Sequence, residues 1–182
     1  MLLLSLETSS SVCSVALHRV ADGSLVGQSE LRLDKSHSTH LTILIEQLLK
    51  NTGYQLADLA AVAVSDGPGS YTGLRIGAAA AKGLCFALDG QEVLAPTPLI
   101  LDADTLAEQL AQHSVLFFGN GAVKFQAVLA ESAQAGFLAG IEPSAVAVGA
   151  LAIAAYHRQE FQDVAYYEPF YLKEVYTTTP RS

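Results

Sequence analysis

The chain has 182 residues, of which 51% are hydrophobic and 15% charged, and a formal net charge of −8 at pH 7. This balance is typical of a folded globular protein and disfavours intrinsic disorder. Its ten Lys and Arg residues are scattered, and an acidic chain repels phosphate backbones, so independent binding to nucleic acid is disfavoured. The apolar stretch 73–88 contains Arg75 and Lys82, and residues 1–6 lack the basic region of a signal peptide. We therefore expect a cytoplasmic protein with no membrane segment.

The first 33 residues predict three β-strands. Apolar stretches at Met1–Leu6 and Val12–Leu17 flank the polar cluster Glu7–Ser11, which has turn chemistry and predicts a β-hairpin. A second turn signal at Ala21–Ser24 precedes residues 25–33, whose partial alternation of leucines predicts a third strand.

A helix, a strand and a second helix are predicted next. Apolar residues recur at helical spacing over Ser38–Lys50, and Gly53 offers a stop. Leu59–Ser65 is fully apolar and predicts a buried strand, and a glycine-rich turn leads into a helix over Thr72–Leu88. Three antiparallel strands followed by helix, strand and helix indicate the opening half of an actin-like domain, because a Rossmann unit starts with strand, helix and strand.

The second half of the sequence has weaker patterns. We predict a strand broken by prolines over 93–101, a helix over 105–112, a buried strand over 115–118, a helix capped by Ser144 and an extended aromatic segment over 166–176.

Four residues of types that often carry chemistry have simpler structural explanations. Cys13 and Cys85 lie inside apolar runs and are expected to be buried thiols without a disulfide. His37 and His40 could share a helix face, but two imidazoles do not complete a metal site. We therefore predict no metal ligands and no catalytic residue.

The most informative motif is Ser65–Gly77, with the sequence SDGPGSYTGLRIG. It follows a strand and opens a helix, where backbone N–H groups can hold an anion, but it lacks the GK[ST] ending of a P-loop. A phosphate site and a purely structural tight turn are about equally supported. The phosphate-loop candidates are Glu7, Thr8, Gly67, Gly69, Ser70 and Thr72.

Small residues in the second helix predict a close helix–helix contact. They recur at three- and four-residue spacing, and each interior glycine costs about 1 kcal/mol relative to alanine. The neighbour is either the helix over Ser38–Lys50 or a helix of a partner, and a packed pair could form a four-helix contact with a second pair. The candidate interface residues are Leu41, Ile45, Leu48, Gly73, Gly77, Ala80, Ala81 and Leu84.

Together these motifs resemble the TsaB (YeaZ-like) family. The resemblance rests on the Glu7-Thr8-Ser9 turn, the glycine loop with its helix, Phe118–Ala122 and Pro169–Lys173. It implies an α/β, actin-like ATPase (ribonuclease H-like) fold with mixed sheets and flanking helices in two subdomains, 1–88 and 89–182. Residues 89–91 lead directly into 92–100, so the second subdomain is expected to be incomplete, with a segment omitted near 89–92.

The resemblance also implies a function. It implies a non-catalytic subunit that pairs with a TsaD-like catalytic subunit through the two N-terminal helices and supports threonylcarbamoyl transfer to the adenosine beside the tRNA anticodon. A TsaE-like ATPase is the further partner, tRNA is contacted through the complex, and the isolated protein could form a homodimer. The resemblance implies no cofactor for this chain itself and allows ATP or ADP and Mg²⁺ to bind in the complex. The alternative is an actin-like nucleotide-binding ATPase whose phosphate site is Glu7 with the loop Gly67–Thr72. A peptidase would need a nucleophile or metal set that these residues do not supply.

Overall fold

The secondary structure is taken from a computed structural model that describes residues 1–33, 36–88, 91–93, 114–119 and 134–171, with isolated positions at 111, 122 and 126. The strands are β1 Leu2–Glu7, β2 Val12–Arg19, β3 Leu25–Arg32, β4 Leu59–Val64, β5 Gln91–Val93, β6 Val115–Phe118, β7 Ala135–Leu138 and β8 Phe161–Gln162. The helices are α1 His37–Thr52, α2 Tyr71–Leu88 and α3 Ala145–His157, with a short 3-10 helix at Leu56–Asp58. Within these residues, no helix is long and apolar enough to cross a membrane.

The main sheet has the strand order β3-β2-β1-β4-β5-β8. The first three strands pair antiparallel, β4 pairs parallel with β1, and β5 pairs parallel with β4. The predicted hairpin, third strand and helix–strand–helix order are confirmed. Apolar side chains alternate between the two faces of each strand, so both faces can be covered by helices.

The two faces of this sheet have different cores. One face packs against α1 and α2 through large side chains such as Leu4, Leu6 and Val62. The opposite face packs against α3 and is built mainly from small residues, including Ala61 and Ala63. Small side chains on that face allow α3 to lie close to the strands.

Local signals set the ends of two helices as predicted. Gly53 adopts a left-handed conformation with φ 75° after α1, and its N–H donates to the carbonyls of Leu49 and Lys50. The Ser144 hydroxyl accepts a hydrogen bond from the Ala147 amide and caps α3. Both caps satisfy backbone groups that a helix end leaves without intrahelical partners.

The chain divides into two compact units, Met1–Pro98 with Ser144–Ser182, and Leu99–Pro143. This division differs from the predicted boundary after residue 88, because α3 packs on β1 and β2 of the first sheet. In the second unit, β6 and β7 pair parallel, and Phe117 stacks on Phe137 with ring centroids 5.1 Å apart.

Some predictions for the second half are corrected, and others fall outside the described residues. Residues 115–118 form the predicted strand, but Leu116 and Phe118 are 59% and 61% exposed, so the strand is not buried as expected. The sequence patterns did not predict β7 or β8. Four predictions lie wholly or mostly outside the described residues: the helix over 105–112 except residue 111, most of the strand over 93–101, the end of the segment 166–176 and the connection at 89–90.

Candidate functional site

The glycine loop packs against the turn between β1 and β2. The Ser70 amide donates to the Ser9 carbonyl at 2.7 Å, which joins the loop to the turn. The Ser70 hydroxyl then accepts from the Gly73 amide at 3.2 Å and caps the first turn of α2. The start of α2 is therefore fixed by the same residue that binds the turn.

Three glycines make this close contact possible. A Cβ atom at Gly69 would collide with the Ser9 carbonyl oxygen, and one at Gly73 would collide with the Thr8 carbonyl oxygen. A Cβ atom at Gly77 would collide with the Thr8 hydroxyl. The small residues at these positions are thus required by the β1–β2 turn of the same chain.

This contact corrects the predicted interface. Gly73 and Gly77 face the turn and are buried, so they are not available to a second helix. Ala81 continues the same helix face and is fully buried in the core. The four-residue spacing identified a face with close neighbours, but it did not distinguish a β-turn from a helix.

A different surface of α2 forms an apolar groove with α1, of about 760 Å³. Of the predicted interface residues, Ile45, Ala80 and Leu84 line this groove, whereas Leu41 and Leu48 are buried in the core. The other lining residues are Thr42, Glu46, Leu49, Lys50, Tyr54, Leu56, Ala79 and Gly83. Ala79 and Gly83 were not predicted, although their four-residue spacing next to Ala80 and Leu84 is the signal that identifies them.

The phosphate-loop candidates do not form one open site. The Glu7 side chain is 3% exposed, and its Oε1 accepts the Ser9 amide of its own turn. Thr8 is fully buried, and its hydroxyl has no hydrogen-bond partner within the described part of the chain. Gly67 and Gly69 shape the loop backbone: Gly67 has a positive φ of 127°, and a Cβ atom there would lie 2.9 Å from the Phe170 carbonyl oxygen.

Ser70 and Thr72 instead line a depression of about 730 Å³ near the starts of α1 and α2. Its other lining residues are Ser10, Ser11, His37, Ser38, Gly73 and Ile76. A Mg²⁺ ion does not fit at Glu7, because the carboxylate is buried and turned into its own turn. Within the described part of the chain, no group of three or more His, Cys, Asp or Glu side chains is arranged to hold a metal ion.

The histidines and cysteines have structural surroundings. The His37 Nε2 atom lies 3.4 Å from the Val12 carbonyl oxygen, and the His40 Nδ1 atom lies 3.1 Å from the Ser36 carbonyl oxygen. Cys13 and Cys85 are both buried, as predicted. Burial raises the pKa of the Cys13 thiol to about 11.

The C-terminal segment binds the glycine loop through Asp66, a contact that the sequence patterns did not predict. The Asp66 carboxylate accepts from the Tyr167 hydroxyl at 2.8 Å and from the Phe170 amide at 3.1 Å. The Tyr171 ring packs on Tyr71 at the start of α2, with centroids 4.6 Å apart. These partners are about a hundred residues apart in sequence, so no local pattern indicates that they meet.

The mixed sheet, with α1 and α2 on one face and α3 on the other, defines a protein of the mixed α/β class. Solved structures agree with this class. YeaZ from Pseudomonas aeruginosa superposes with a TM-score of 0.76 and 24% identity, and the match covers 94% of this chain and 99% of that one. A second structure, described as a protein with similarity to peptidase YeaZ from Pseudomonas aeruginosa, gives a TM-score of 0.73 at 24% identity and the same coverage. These likenesses show the fold.

Sequence comparisons identify the particular proteins that the chain resembles. The family model described as TsaD, tRNA N6-adenosine threonylcarbamoyltransferase, matches residues 32–95. The tRNA threonylcarbamoyladenosine biosynthesis protein TsaB of Haemophilus influenzae is 40% identical over 87 residues, and that of Escherichia coli is 36% identical over 86 residues. These matches cover 48% and 47% of this chain and 36% of each relative. The chain thus resembles TsaB, and the match spans little more than a third of the length of these relatives.

Proposed function

We propose that this chain is a non-catalytic, TsaB-type subunit of a tRNA-modifying complex. In this role it pairs with a TsaD-like catalytic subunit and supports threonylcarbamoyl transfer to the adenosine beside the tRNA anticodon. Two lines of support agree: the relatives are described as threonylcarbamoyladenosine biosynthesis proteins, and the chain has the fold of YeaZ. The TsaD family model also covers α1 and α2.

The groove between α1 and α2 is the observation that carries this proposal. Buried Ile45 and Leu49 contribute to its lining, and the small residues Ala79, Ala80 and Gly83 lie along α2. An exposed apolar groove between two helices is a suitable surface for a helix of another protein. A matching helix pair on the TsaD-like partner would complete a four-helix contact.

The remaining partners follow from the same proposal. ATP or ADP and Mg²⁺ act on the partner subunits, including a TsaE-like ATPase, and this chain holds no cofactor of its own. Its net charge of −8 supports contact with tRNA through the complex, since an acidic subunit gains little from phosphate backbones. Without its partner, the chain would use the groove to form a homodimer.

Ala79→Arg tests this surface. Ala79 lines the groove and is exposed, so an arginine there blocks a closely packed helix without entering the core. We expect at least tenfold weaker binding to a TsaD-like partner in a pull-down and an equivalent loss of tRNA modification in a reconstituted assay. The control is Ala150→Arg, which places the same side chain on the exposed face of α3. Unchanged partner binding by the Ala79 variant would contradict the proposal.

The second candidate function is an actin-like nucleotide-binding ATPase. The polar depression beside Ser70 and Thr72 favours it, because two helix N-termini and several hydroxyls meet there. The buried Glu7 carboxylate opposes it. Calorimetric titration of the isolated chain with ATP and Mg²⁺ separates the two functions. Tight binding with turnover, reduced in a Thr72→Val variant, would support the ATPase, and no measurable binding would support the partner subunit.

A further inference from the structure

His18 is a buried imidazole beneath α3. Its side chain is 2% exposed, and its Nδ1 atom has no hydrogen-bond partner among the residues that the structure describes. Gly149 lies directly above the ring, so closely that a Cβ atom there would collide with His18 Nδ1 and would lie 2.8 Å from the Ser5 hydroxyl. The backbone of α3 therefore covers the ring and separates it from water.

The described residues around His18 do not provide a close counter-charge. Its partners in the neighbouring strands are Leu3 on β1 and Leu25 on β3. The carboxylates that share this sheet face, Glu7 and Glu30, both lie opposite Ser14, four residues along β2 from His18.

The charged and titratable groups at the edges of this contact are exposed or already paired. They are the amino group of Met1, Asp22 with its hydrogen bonds to Ser24, Tyr156 and His157 at the end of α3, and the ion pair between Arg158 and Glu160. A proton on His18 would therefore place a buried cation without a nearby anionic partner.

We infer that His18 makes the docking of α3 on the sheet pH-dependent. The ring must be neutral while α3 covers it, and protonation favours a state in which α3 has moved away and water solvates the imidazolium. Burial lowers the pKa of His18 from 6.5 in the docked state. The docked state is therefore fully stable above about pH 6.5 and loses stability as the pH falls through 6.5 towards the lower value.

The contacts between α3 and the sheet favour local detachment of this helix. The fully buried residues of its contact with the sheet are small, namely Ala145, Gly149, Ala152 and Ala155, and its larger apolar side chains Val148, Ile153 and Tyr156 are only partly buried there. Its first turn is attached to β2 by a hydrogen bond from the Ala145 amide to the Ser14 hydroxyl, at 3.1 Å. By contrast, β1 and β2 are also buried by the large side chains of the opposite core. We expect α3 to open before the strands do.

Amide hydrogen exchange at pH 7.5, 6.0 and 5.0, corrected for intrinsic exchange rates, tests this inference. In the wild-type chain, protection of residues 145–157 should fall as the pH is lowered, by up to about tenfold for each unit by which the docked-state pKa lies below 6.5. Protection of β1 should stay constant. In His18→Gln the fall should disappear, whereas His157→Gln, a change on the exposed end of the same helix, should retain it.

Three results would overturn the inference. They are an unchanged pH dependence in His18→Gln, an equal loss of protection in α3 and β1, and no loss in the wild-type chain. An NMR titration of the wild-type imidazole resonances gives a second readout that needs no variant. His18 should titrate below 6.5, and titration at or above that value would also overturn the inference.

Discussion

At the level of single residues, glycines with similar sequence settings have different physical roles. Gly73 and Gly77 allow α2 to contact the Thr8 turn, and Gly69 allows the loop to contact Ser9. At Gly83, in the same helix, no atom of the described residues outside its own helical backbone lies within 4 Å of the position that a Cβ would take. Close approach to the β1–β2 turn therefore explains Gly69, Gly73 and Gly77. Gly83 instead lines the α1–α2 groove, where it presents no side chain.

Gly73→Ala and Gly83→Ala form a matched pair for this distinction. The first places a methyl group against the Thr8 carbonyl and should lower the free energy of unfolding by about 1–3 kcal/mol. The second adds helix propensity without a clash and should raise it by about 0.5–1 kcal/mol. Urea denaturation of both variants measures the difference. Equal effects would mean that the Thr8 contact does not constrain α2.

The Cys13 thiol gives a second prediction at this scale. Burial raises its pKa to about 11, so the thiol stays protonated and unreactive at pH 8, and it becomes a thiolate only near or above pH 11. An aromatic disulfide reagent should therefore label neither Cys13 nor the buried Cys85 in the folded chain. Both should react in denaturing urea. Rapid labelling of the folded chain at pH 8 would contradict this placement.

At the level of elements, α1 and α3 begin in different ways. The Ser144 hydroxyl accepts a hydrogen bond from the Ala147 amide and caps α3. The Ser36 hydroxyl at the start of α1 makes no cap bond and is buried without a partner among the described residues. The histidine that follows Ser36 instead packs its ring near the Val12 carbonyl. A serine thus stabilises the start of α3, whereas the buried serine at the start of α1 destabilises that helix start.

Alanine substitutions at these two serines should have opposite effects. Ser144→Ala removes a cap bond and should lower the free energy of unfolding by about 1 kcal/mol. Ser36→Ala removes an unpaired buried hydroxyl and should be neutral or stabilising. Thermal unfolding followed by circular dichroism measures both. A larger loss at Ser36 than at Ser144 would show that the two caps have been assigned the wrong way round.

The C-terminal segment gives a second prediction for an element. Tyr167→Phe removes a hydrogen bond to the Asp66 carboxylate and keeps the ring, so it should destabilise the attachment of residues 166–171 by about 1.5 kcal/mol. Limited proteolysis should cut this segment several times faster than in the wild-type chain. Tyr166→Phe is the control, because the Tyr166 side chain is 85% exposed, and it should leave the cleavage rate unchanged.

For the whole molecule, the main sheet separates two surfaces with different proposed roles. The α1–α2 groove lies on one face and is proposed to bind a partner. Helix α3 and His18 lie on the other face and are proposed to respond to pH. Sites that are well separated and share no contacts are usually energetically independent.

Independence of the two faces can be measured. At pH 7.5 His18→Gln should bind a TsaD-like partner within about twofold of wild type, and Ala79→Arg should leave the amide protection of residues 145–157 unchanged. Pull-down and hydrogen exchange on the same two variants provide the comparison. A loss of partner binding in His18→Gln under these conditions would mean that the faces are coupled through the sheet.

The sequence by itself determined the elements whose signals are local. Hydrophobic period and turn residues predicted β1 to β4, α1 and α2 in the correct order, and Gly53 and Ser144 marked helix ends correctly. The resemblance to TsaB was equally readable, because its motifs, such as the Glu7-Thr8-Ser9 turn and the glycine loop Ser65–Gly77, are short runs of consecutive residues. These signals are readable because they depend on neighbours within a few residues.

Only the tertiary structure decided which surfaces meet. Periodicity predicted a close neighbour for Gly73 and Gly77, but the neighbour is the Thr8 turn, more than 60 residues earlier in the chain. The contact of Asp66 with Tyr167 spans 101 residues, and that of Ser14 with Ala145 spans 131. A repeating pattern of small or apolar residues predicts which face of a helix or strand is buried. Packing and hydrogen bonding between distant segments select the partner of that face. A short stretch of sequence does not indicate which distant segment it contacts.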